Sequence, residues 1–277
     1  MIKTIENILN NGGIEEYQAE AKLLVLEVSG MTYEDILLGK KIENVEKIIE
    51  LAKKRIETKA PIQHIIGYAR FMGEKYIVNS NVLIPRDETE ILVNKAYELI
   101  KKQENKLDIL DIGVGSGCIS CALAKKLKEK EIEILGVDIS VDALEVAIEN
   151  VAKLDLVRKV ILRKSDIYLK IRECEKFDLI VSNPPYIPIS QKENLQKEVK
   201  NFDPELALFS LDDNGVGFYK RIIEGAPNCL KPNGFIAFEL GVNQAQLVKE
   251  MLEKDFKNIE VTKDLAGIER VITAQLI

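Results

Sequence analysis

A chain of 277 residues exceeds one average domain, and 46% hydrophobic against 30% charged side chains exclude a disordered or collagen-like polymer. Thirty-nine basic and 45 acidic residues leave a formal charge of −6, which argues against a large basic face for tracking a nucleic-acid backbone. The cysteines (Cys118, Cys121, Cys174, Cys229) and the single histidine, His64, suggest neither a disulfide framework nor a zinc cluster, so no disulfide and no metal are expected.

From Met1 to Asn10, the polar residues Lys3, Glu6, Asn7 and Asn10 interrupt the apolar positions, so no signal-peptide core is read there. No apolar run approaches a membrane span, and the cytoplasm is the expected location. The first sixty residues read as helices. Ile14, Tyr17, Ala21, Leu24 and Val28 keep helical spacing. Val45, Ile48, Ile49, Ala52 and Ile56 then place one apolar stripe on a helix from about Glu43 to Thr58. Asn11-Gly12-Gly13 and Gly30 punctuate these segments, which predicts a small bundle with the stripes facing its own core.

From Pro61 the pattern changes. Ile62, Ile65, Ile66 and Phe71, then Tyr76-Ile77-Val78, are β-prone and broken by Gly67, Gly73 and Asn79-Ser80-Asn81, so a hairpin linker is expected. After Pro85, the residues Ile91, Leu92, Lys95, Ala96, Leu99 and Ile100 return to helical spacing.

Beyond Lys106, short β-rich runs alternate with helical segments, the signature of an α/β fold with a mostly parallel sheet. The runs are Leu107 to Ile112, Ile132 to Val137, Val160 to Leu162, Phe177 to Ser182 and Gly234 to Glu239. Helices fit at about Cys118 to Lys128, Val141 to Leu154, Gly217 to Leu230 and Gln244 to Lys254. Late β runs near Ile259 to Thr262 and Val271 to Leu276 predict an antiparallel edge. Lys125, Lys126, Lys128 and Lys130, interleaved with Glu129 and Glu131, read as a solvated helix face.

Asp111-Ile112-Gly113-Val114-Gly115-Ser116-Gly117 follows the first strand of this series and opens a helix, where a ligand belongs in an open α/β sheet. The dinucleotide fingerprint needs a third glycine at position 118, which is Cys118 here. Gly113, Gly115 and Gly117 form G-x-G-x-G instead, a pattern that points to S-adenosylmethionine, with Val114 and Ser116 in the same loop.

Asp138, ending the second strand, suits two hydrogen bonds from ribose hydroxyls, each worth roughly 1.5 to 3 kcal/mol; an Asp there also caps the turn at Ser140. Asp166 is placed to accept from an adenine amino group, and Ile167 to pack on the ring. Cys118 and Cys121 make a C-x-x-C that reads as small buried packing residues rather than a redox pair, and His64 reads as structural.

Asn183-Pro184-Pro185-Tyr186 comes directly after the apolar strand Leu179 to Ser182. Two prolines alone end a strand; Asn before and Tyr after them ask for chemistry. A planar amide or amino nitrogen can donate its two N–H groups to the Asn183 side-chain oxygen and a prolyl carbonyl, while Tyr186 stacks on the planar group. Asn183 would thus touch acceptor and cofactor both. A site of acceptors rejects a carboxylate, which favours glutamine over glutamate.

Several segments are shared with one family. Phe71-Met72-Gly73, Leu83-Ile84-Pro85-Arg86 with Glu88-Thr89-Glu90, Phe218-Tyr219 with Arg221, Leu230-Lys231-Pro232-Asn233-Gly234, Glu239-Leu240-Gly241 and Gly267-Ile268-Glu269-Arg270-Val271 stand beside the tetrad. With these, the chain resembles the bacterial HemK-like peptide chain release factor glutamine methyltransferases over nearly its whole length. It departs from the family at Asp87, where Pro is usual, at Val114, where Thr is common, and at Ile268, where Arg is common.

The resemblance implies a Rossmann-like class I methyltransferase domain at residues 81–277, with a seven-stranded, mostly parallel sheet. It further implies a helical N-terminal domain with its hairpin linker at residues 1–80 that binds the release factor. S-adenosyl-L-methionine would be the methyl donor, S-adenosyl-L-homocysteine the product, and the Gly-Gly-Gln glutamine of class 1 release factors the acceptor, with a monomer expected. The readings that compete are a nucleic-acid amino methyltransferase, which would want a basic recognition face, and a binding module that keeps the fold without the chemistry.

Overall fold

The computed structural model describes residues 1–210 and 212–277. Its chain divides into two units, Met1–Tyr68 with Lys197–Phe202, and Ala69–Gln196 with Asp203–Ile277.

The first unit begins with α1 (Ile2–Asn11), α2 (Tyr17–Ser29), α3 (Tyr33–Leu37), α4 (Val45–Thr58) and α5 (Ile62–Ile66). Ile5, Leu9, Ala21, Leu24, Ile48 and Ala52 are buried together, so the apolar stripes read from the sequence face a common core. Gly30, at φ 70°, ends α2 in the left-handed conformation that costs a glycine little. Thr32 and Asp35 then start α3 with a reciprocal capping box. Arg55 is only 2% exposed. Its guanidinium forks onto Glu20 with two 2.8 Å hydrogen bonds and also donates to Glu198, so the buried charge is paired on more than one side.

One expectation is corrected here. Ile62, Ile65 and Ile66, read as β-prone, form α5. Their i, i+3, i+4 spacing is helical, Pro61 stands at the N-terminal boundary and Gly67 closes the turn at φ 83°. Burying Ile62 and Ile65 in the helical core outweighs their intrinsic β preference.

The hairpin itself is β1 (Tyr68–Phe71) and β2 (Glu74–Ile77). Met72 and Gly73 both have positive φ, 50° and 81°, as a two-residue type I′ turn demands. The Met72 N–H donates to Glu90 Oε1 at 2.6 Å, which ties that turn to α6 (Thr89–Ile100).

The rest of the second unit runs β3 (Leu107–Ile112), α7 (Cys118–Lys126), β4 (Ile132–Asp138), α8 (Val141–Lys153), β5 (Val160–Lys164), β6 (Phe177–Ser182) and β7 (Ile187–Pro188). A 3-10 turn (Ile189–Asn194), α9 (Lys197–Phe202, which clusters with the first unit), α10 (Glu205–Leu208) and β8 (Phe209–Ser210) follow. The chain ends with α11 (Gly217–Gly225), β9 (Leu230–Glu239), α12 (Ala245–Leu252), β10 (Phe256–Lys263) and β11 (Glu269–Leu276).

The sheet order is β10-β11-β9-β6-β3-β4-β5. β9, β6, β3, β4 and β5 are parallel, while β10 and β11 form the antiparallel edge. Parallel strands covered on both faces must be apolar throughout, and β3 and β6 are buried along almost their full lengths. α11 stops at Gly225 rather than continuing to Leu230, because Pro227 cannot extend a helix. Among the described residues, no helix is long and apolar enough to cross a membrane.

The connection reverses direction at β3: β4 and β5 lie on one side of it and β6 on the other. Ligands of open α/β sheets settle at such a reversal, outside the carboxyl ends of the strands. Residues 113–117 leave β3 there and residues 183–186 leave β6, with Ile112 and Ser182 paired across the two strands.

Candidate active site

A cavity of about 470 Å³ opens at this reversal. Gly113, Val114, Gly115, Ser116, Asp138, Asp166 and Ile167 line it from one side, and Asn183, Pro184 and Pro185 from the other. Pro85, Arg86 and Thr89 contribute a further wall, and Ile189, Pro204 to Ala207 and Phe209 another.

The glycine loop is shaped by its own backbone. Gly113, Gly115 and Gly117 have φ of 74°, 52° and 79°, values that side-chain-bearing residues avoid. A Cβ on Gly113 would meet nothing within 4 Å, so the space beside it is cavity rather than protein. Gly117 serves packing instead: it does not line the cavity, it precedes α7, and its Cβ position lies 3.4 Å from Ala147 of α8. Val114 is buried against Leu144 and Ala147 while it lines the cavity.

Asn150 ties this loop to the hairpin. Its Nδ2 donates to the carbonyls of Ser116 and Ile77, at 2.9 and 3.0 Å, and its Oδ1 accepts from Ile77 N at 2.7 Å.

Asp138 bears out the capping reading of the sequence, and it also lines the cavity. Its Oδ1 accepts from Ser140 N and its Oδ2 from Gly115 N, each at 2.9 Å, so it caps the following turn and holds the glycine loop together. Burial raises its carboxyl above the ordinary range, against the lowering effect of those N–H groups. Each oxygen keeps a lone pair for a ligand hydroxyl. Asp166 lines the cavity too, but its Oδ2 is paired with Arg221 Nη2 at 2.9 Å. Ile167, only 7% exposed, sits at φ 49°, a strained conformation for a β-branched residue. Ser165 bridges that turn, donating to Ile167 O at 2.9 Å and accepting from Lys170 N at 3.0 Å.

On the other side, Asn183 Nδ2 donates to Thr89 Oγ1 at 3.4 Å, and Thr89 Oγ1 donates to Glu239 Oε2 at 2.6 Å. Tyr186 does not line the cavity. Its hydroxyl donates to Glu239 Oε1 at 3.4 Å, and burial near that carboxylate pushes its pKa upward. Gln244 Nε2 donates to the carbonyls of Tyr186, Asn214 and Gly215, at 2.9, 3.1 and 3.3 Å, while its Oε1 accepts from Gly241 N at 3.1 Å. A Cβ on Gly215 would fall 2.2 Å from the Tyr186 carbonyl, so glycine is required for that approach.

Residues that sequence reasoning did not single out as functional include Thr89, Glu239, Gln244 and Asp111. Glu239 is 4% exposed, and burial raises its carboxyl to about 7. Asp111 is raised to about 7 for the same reason; its Oδ2 accepts from Ser120 Oγ at 2.6 Å, and its Oδ1 has no partner among the described residues. Buried acids at strand ends beside a cavity are a recognisable signal, but only once the strands are assembled. Cys118 and Cys121 are buried, and burial pushes both thiols up to about 12, the environment of packing residues. Of the family departures, Asp87 is exposed. Ile268 takes part in its turn through its backbone N–H, which donates to Asp264 Oδ1 at 2.9 Å.

A family model described as a methyltransferase domain matches residues 103–274. A release factor glutamine methyltransferase of Fusobacterium nucleatum is 42% identical over 85% of this chain, which spans 65% of that protein's length. One from Bacillus cereus is 35% identical over 99% of this chain and 98% of its own. Among solved structures, a methyltransferase from Pyrococcus furiosus superposes with a TM-score of 0.54 at 18% identity, over 80% of this chain and 96% of that one, which bears on the fold alone.

Proposed function

Since the chain belongs to the release factor glutamine methyltransferase family, we propose that it methylates the side-chain amide nitrogen of the glutamine in the Gly-Gly-Gln motif of class 1 peptide chain release factors, with S-adenosyl-L-methionine as donor. The observation that carries this reading is the shared cavity. The loop of Gly113 and Gly115 and the pair Asn183-Pro184 leave neighbouring strands and line the same space.

The residues fit the donor. The open volume beside Gly113 is a cradle that a Cβ would fill, and the cavity adds the Asp138 carboxylate and the apolar Ile139 and Ile167 to it. Asp138 would take the ribose hydroxyls, Ile167 the face of the adenine, and the loop Gly113-Val114-Gly115-Ser116 the remainder. Asp166 would accept from the adenine amino group after sharing or giving up its pairing with Arg221. Bound there, S-adenosylmethionine supplies a methyl group activated by its sulfonium.

A carboxamide nitrogen is a poor nucleophile because its lone pair is delocalised into the carbonyl. Asn183 Oδ1 and the Pro184 carbonyl are acceptors, and together they can take both N–H groups of a glutamine amide, turning its nitrogen toward the glycine loop. The prolines lock φ and so fix the direction of that carbonyl. Tyr186, anchored through Glu239 and Gln244, backs the loop that carries the tetrad. Alignment of this kind can supply about 7 to 11 kcal/mol of barrier reduction, so no strong base is required before transfer. The helical domain of residues 1–80, with its hairpin, would grip the factor.

The test is transfer of labelled methyl to purified release factor, with its Gln→Glu loop variant, tRNA, rRNA and DNA as parallel acceptors. Label on the wild-type factor alone is expected. Label on nucleic acid would move the acceptor to a base, and no label with any of them would leave the fold without this chemistry.

A further inference from the structure

A carboxamide is nearly symmetric in shape, yet it offers an acceptor at one edge and a donor at the other, and only one way round suits an amide substrate. Nothing within Asn183-Pro184-Pro185-Tyr186 decides which edge of Asn183 meets the cavity. The deciding contact comes from α6 and β9.

Thr89, 3% exposed, has a single hydroxyl proton, which it donates to Glu239 Oε2 at 2.6 Å. Burial raises the Glu239 carboxyl to about 7; above that pH it is ionised and only accepts, so that proton is committed. Toward Asn183, Thr89 therefore presents lone pairs, and it receives the Asn183 Nδ2–H at 3.4 Å. With Nδ2 held there, Oδ1 forms the opposite edge. Turned the other way, the carboxamide would show an N–H to the acceptor and suit a carboxylate.

We infer that Thr89, its proton held by Glu239, fixes the way round of the Asn183 carboxamide and thereby makes the site select an amide over a carboxylate. This rests on the glutamine reading above. Thr89 and Glu239 are positioning residues: they act through Asn183, which touches the substrate. Hydrogen bonds of this kind are often long before substrate arrives and shorten in the complex.

The test compares Thr89→Val, which keeps the shape and removes the hydroxyl, with Thr89→Ser, which keeps the hydroxyl and removes a methyl. Assays at pH 8.5 would measure kcat and KM for release factor methylation, together with inhibition by the Gln→Glu factor. Thr89→Val should lower kcat by about tenfold, the scale of one hydrogen bond, and bind the Gln→Glu factor at least about fivefold more tightly than wild type. Thr89→Ser should return both quantities to within about threefold of wild type. Equal losses in the two variants, or unchanged discrimination in Thr89→Val, would overturn the inference.

A second measurement needs no substrate and so separates this claim from the glutamine reading. The Asn183 side-chain amide protons, assigned by their absence from the Asn183→Ala spectrum, should exchange slowly with solvent in wild type and Thr89→Ser, and fast in Thr89→Val. Equal exchange in all three would refute the orientation even if the factor is methylated. Slow exchange lost in Thr89→Val would support it even if the natural acceptor proves to be another planar nitrogen.

Discussion

The two sides of the cavity are built by opposite means. On the glycine-loop side, side chains mostly grip backbone groups: Asp138 accepts from Ser140 N and Gly115 N, Asn150 donates to Ser116 O, and Ser165 bridges to Ile167 and Lys170. On the tetrad side, side chains from distant segments converge: Thr89 of α6, Glu239 of β9 and Gln244 at the start of α12 hold Asn183 and Tyr186. That side needs only β3, β4, α8 and the turn after β5 in place. The converged side forms only when the whole sheet is in register, and a single substitution there should affect chemistry rather than donor affinity.

That contrast can be broken experimentally, and the sharpest attempt is Asn183→Ala. Turnover should fall by at least about a hundredfold, as when a positioned polar group is removed from a reacting centre. A rate within a fewfold of wild type would show that the tetrad side does not carry the chemistry.

Next in size is Glu239→Gln. The buried carboxyl titrates near 7 rather than at its ordinary 4.5, so the folded chain holds this proton more tightly than the unfolded chain does. The stability from that preference is fully present below about pH 4.5 and is lost as pH rises through about 7. Replacing the acid by an amide removes the cost of burying a charge. Glu239→Gln should therefore gain on the order of 2 kcal/mol relative to wild type at pH 8 and little at pH 4.5. Denaturant melts at both pH values would show this; equal differences at the two would mean that the group is not perturbed by burial. Its turnover should drop meanwhile, as expected where a site is held together at the expense of stability.

Asp138→Ala probes the glycine-loop side. The dissociation constant for S-adenosylmethionine, measured by calorimetry, should rise by about tenfold while kcat at saturation stays within a fewfold. An unchanged constant would retire the ribose assignment, and a collapse of kcat would erase the distinction between the two sides.

The smallest effect on donor binding is expected at Ile167. Glycine adopts its φ of 49° without strain, so Ile167→Gly should recover about 1 kcal/mol of backbone strain while giving up buried side-chain contacts. Thermal unfolding with and without S-adenosylmethionine separates the two: the donor should stabilise the variant less than it stabilises wild type.

The same division explains what was legible in the amino-acid sequence. β3 and β6 could be read because buried parallel strands are continuous apolar runs, and the loops after them because glycine spacing and Asn-Pro-Pro-Tyr are patterns along the chain. Asp138 could be read as an acid at a strand end, and its capping of the Ser140 turn with it. Ile62 to Ile66 misled because short apolar runs fit helix and strand alike, and the packing that decides between them lies in other helices. Ile189, Pro204 to Ala207 and Phe209, which form part of the cavity wall, lie in segments with no periodicity that announces them. Thr89, Glu239 and Gln244 are separated from the residues they hold by 94, 53 and 58 positions, so no local pattern joins them. Arg221 was visible as part of a shared segment, but its claim on Asp166 was not.

The pairing of Ile112 with Ser182 sets a length scale of its own. The loops proposed to hold donor and acceptor leave adjacent strands, and the Ser182 hydroxyl closes the junction by donating to Ile112 O at 2.6 Å. Neighbouring strands are spaced about 4.8 Å apart by backbone hydrogen bonding, whatever their side chains. The sheet is thus a ruler between the two halves of the proposed site, and its gauge does not depend on which nitrogen is the acceptor. Redesign toward another planar nitrogen belongs in the loops and in the residues that brace them, because the strands already hold the distance.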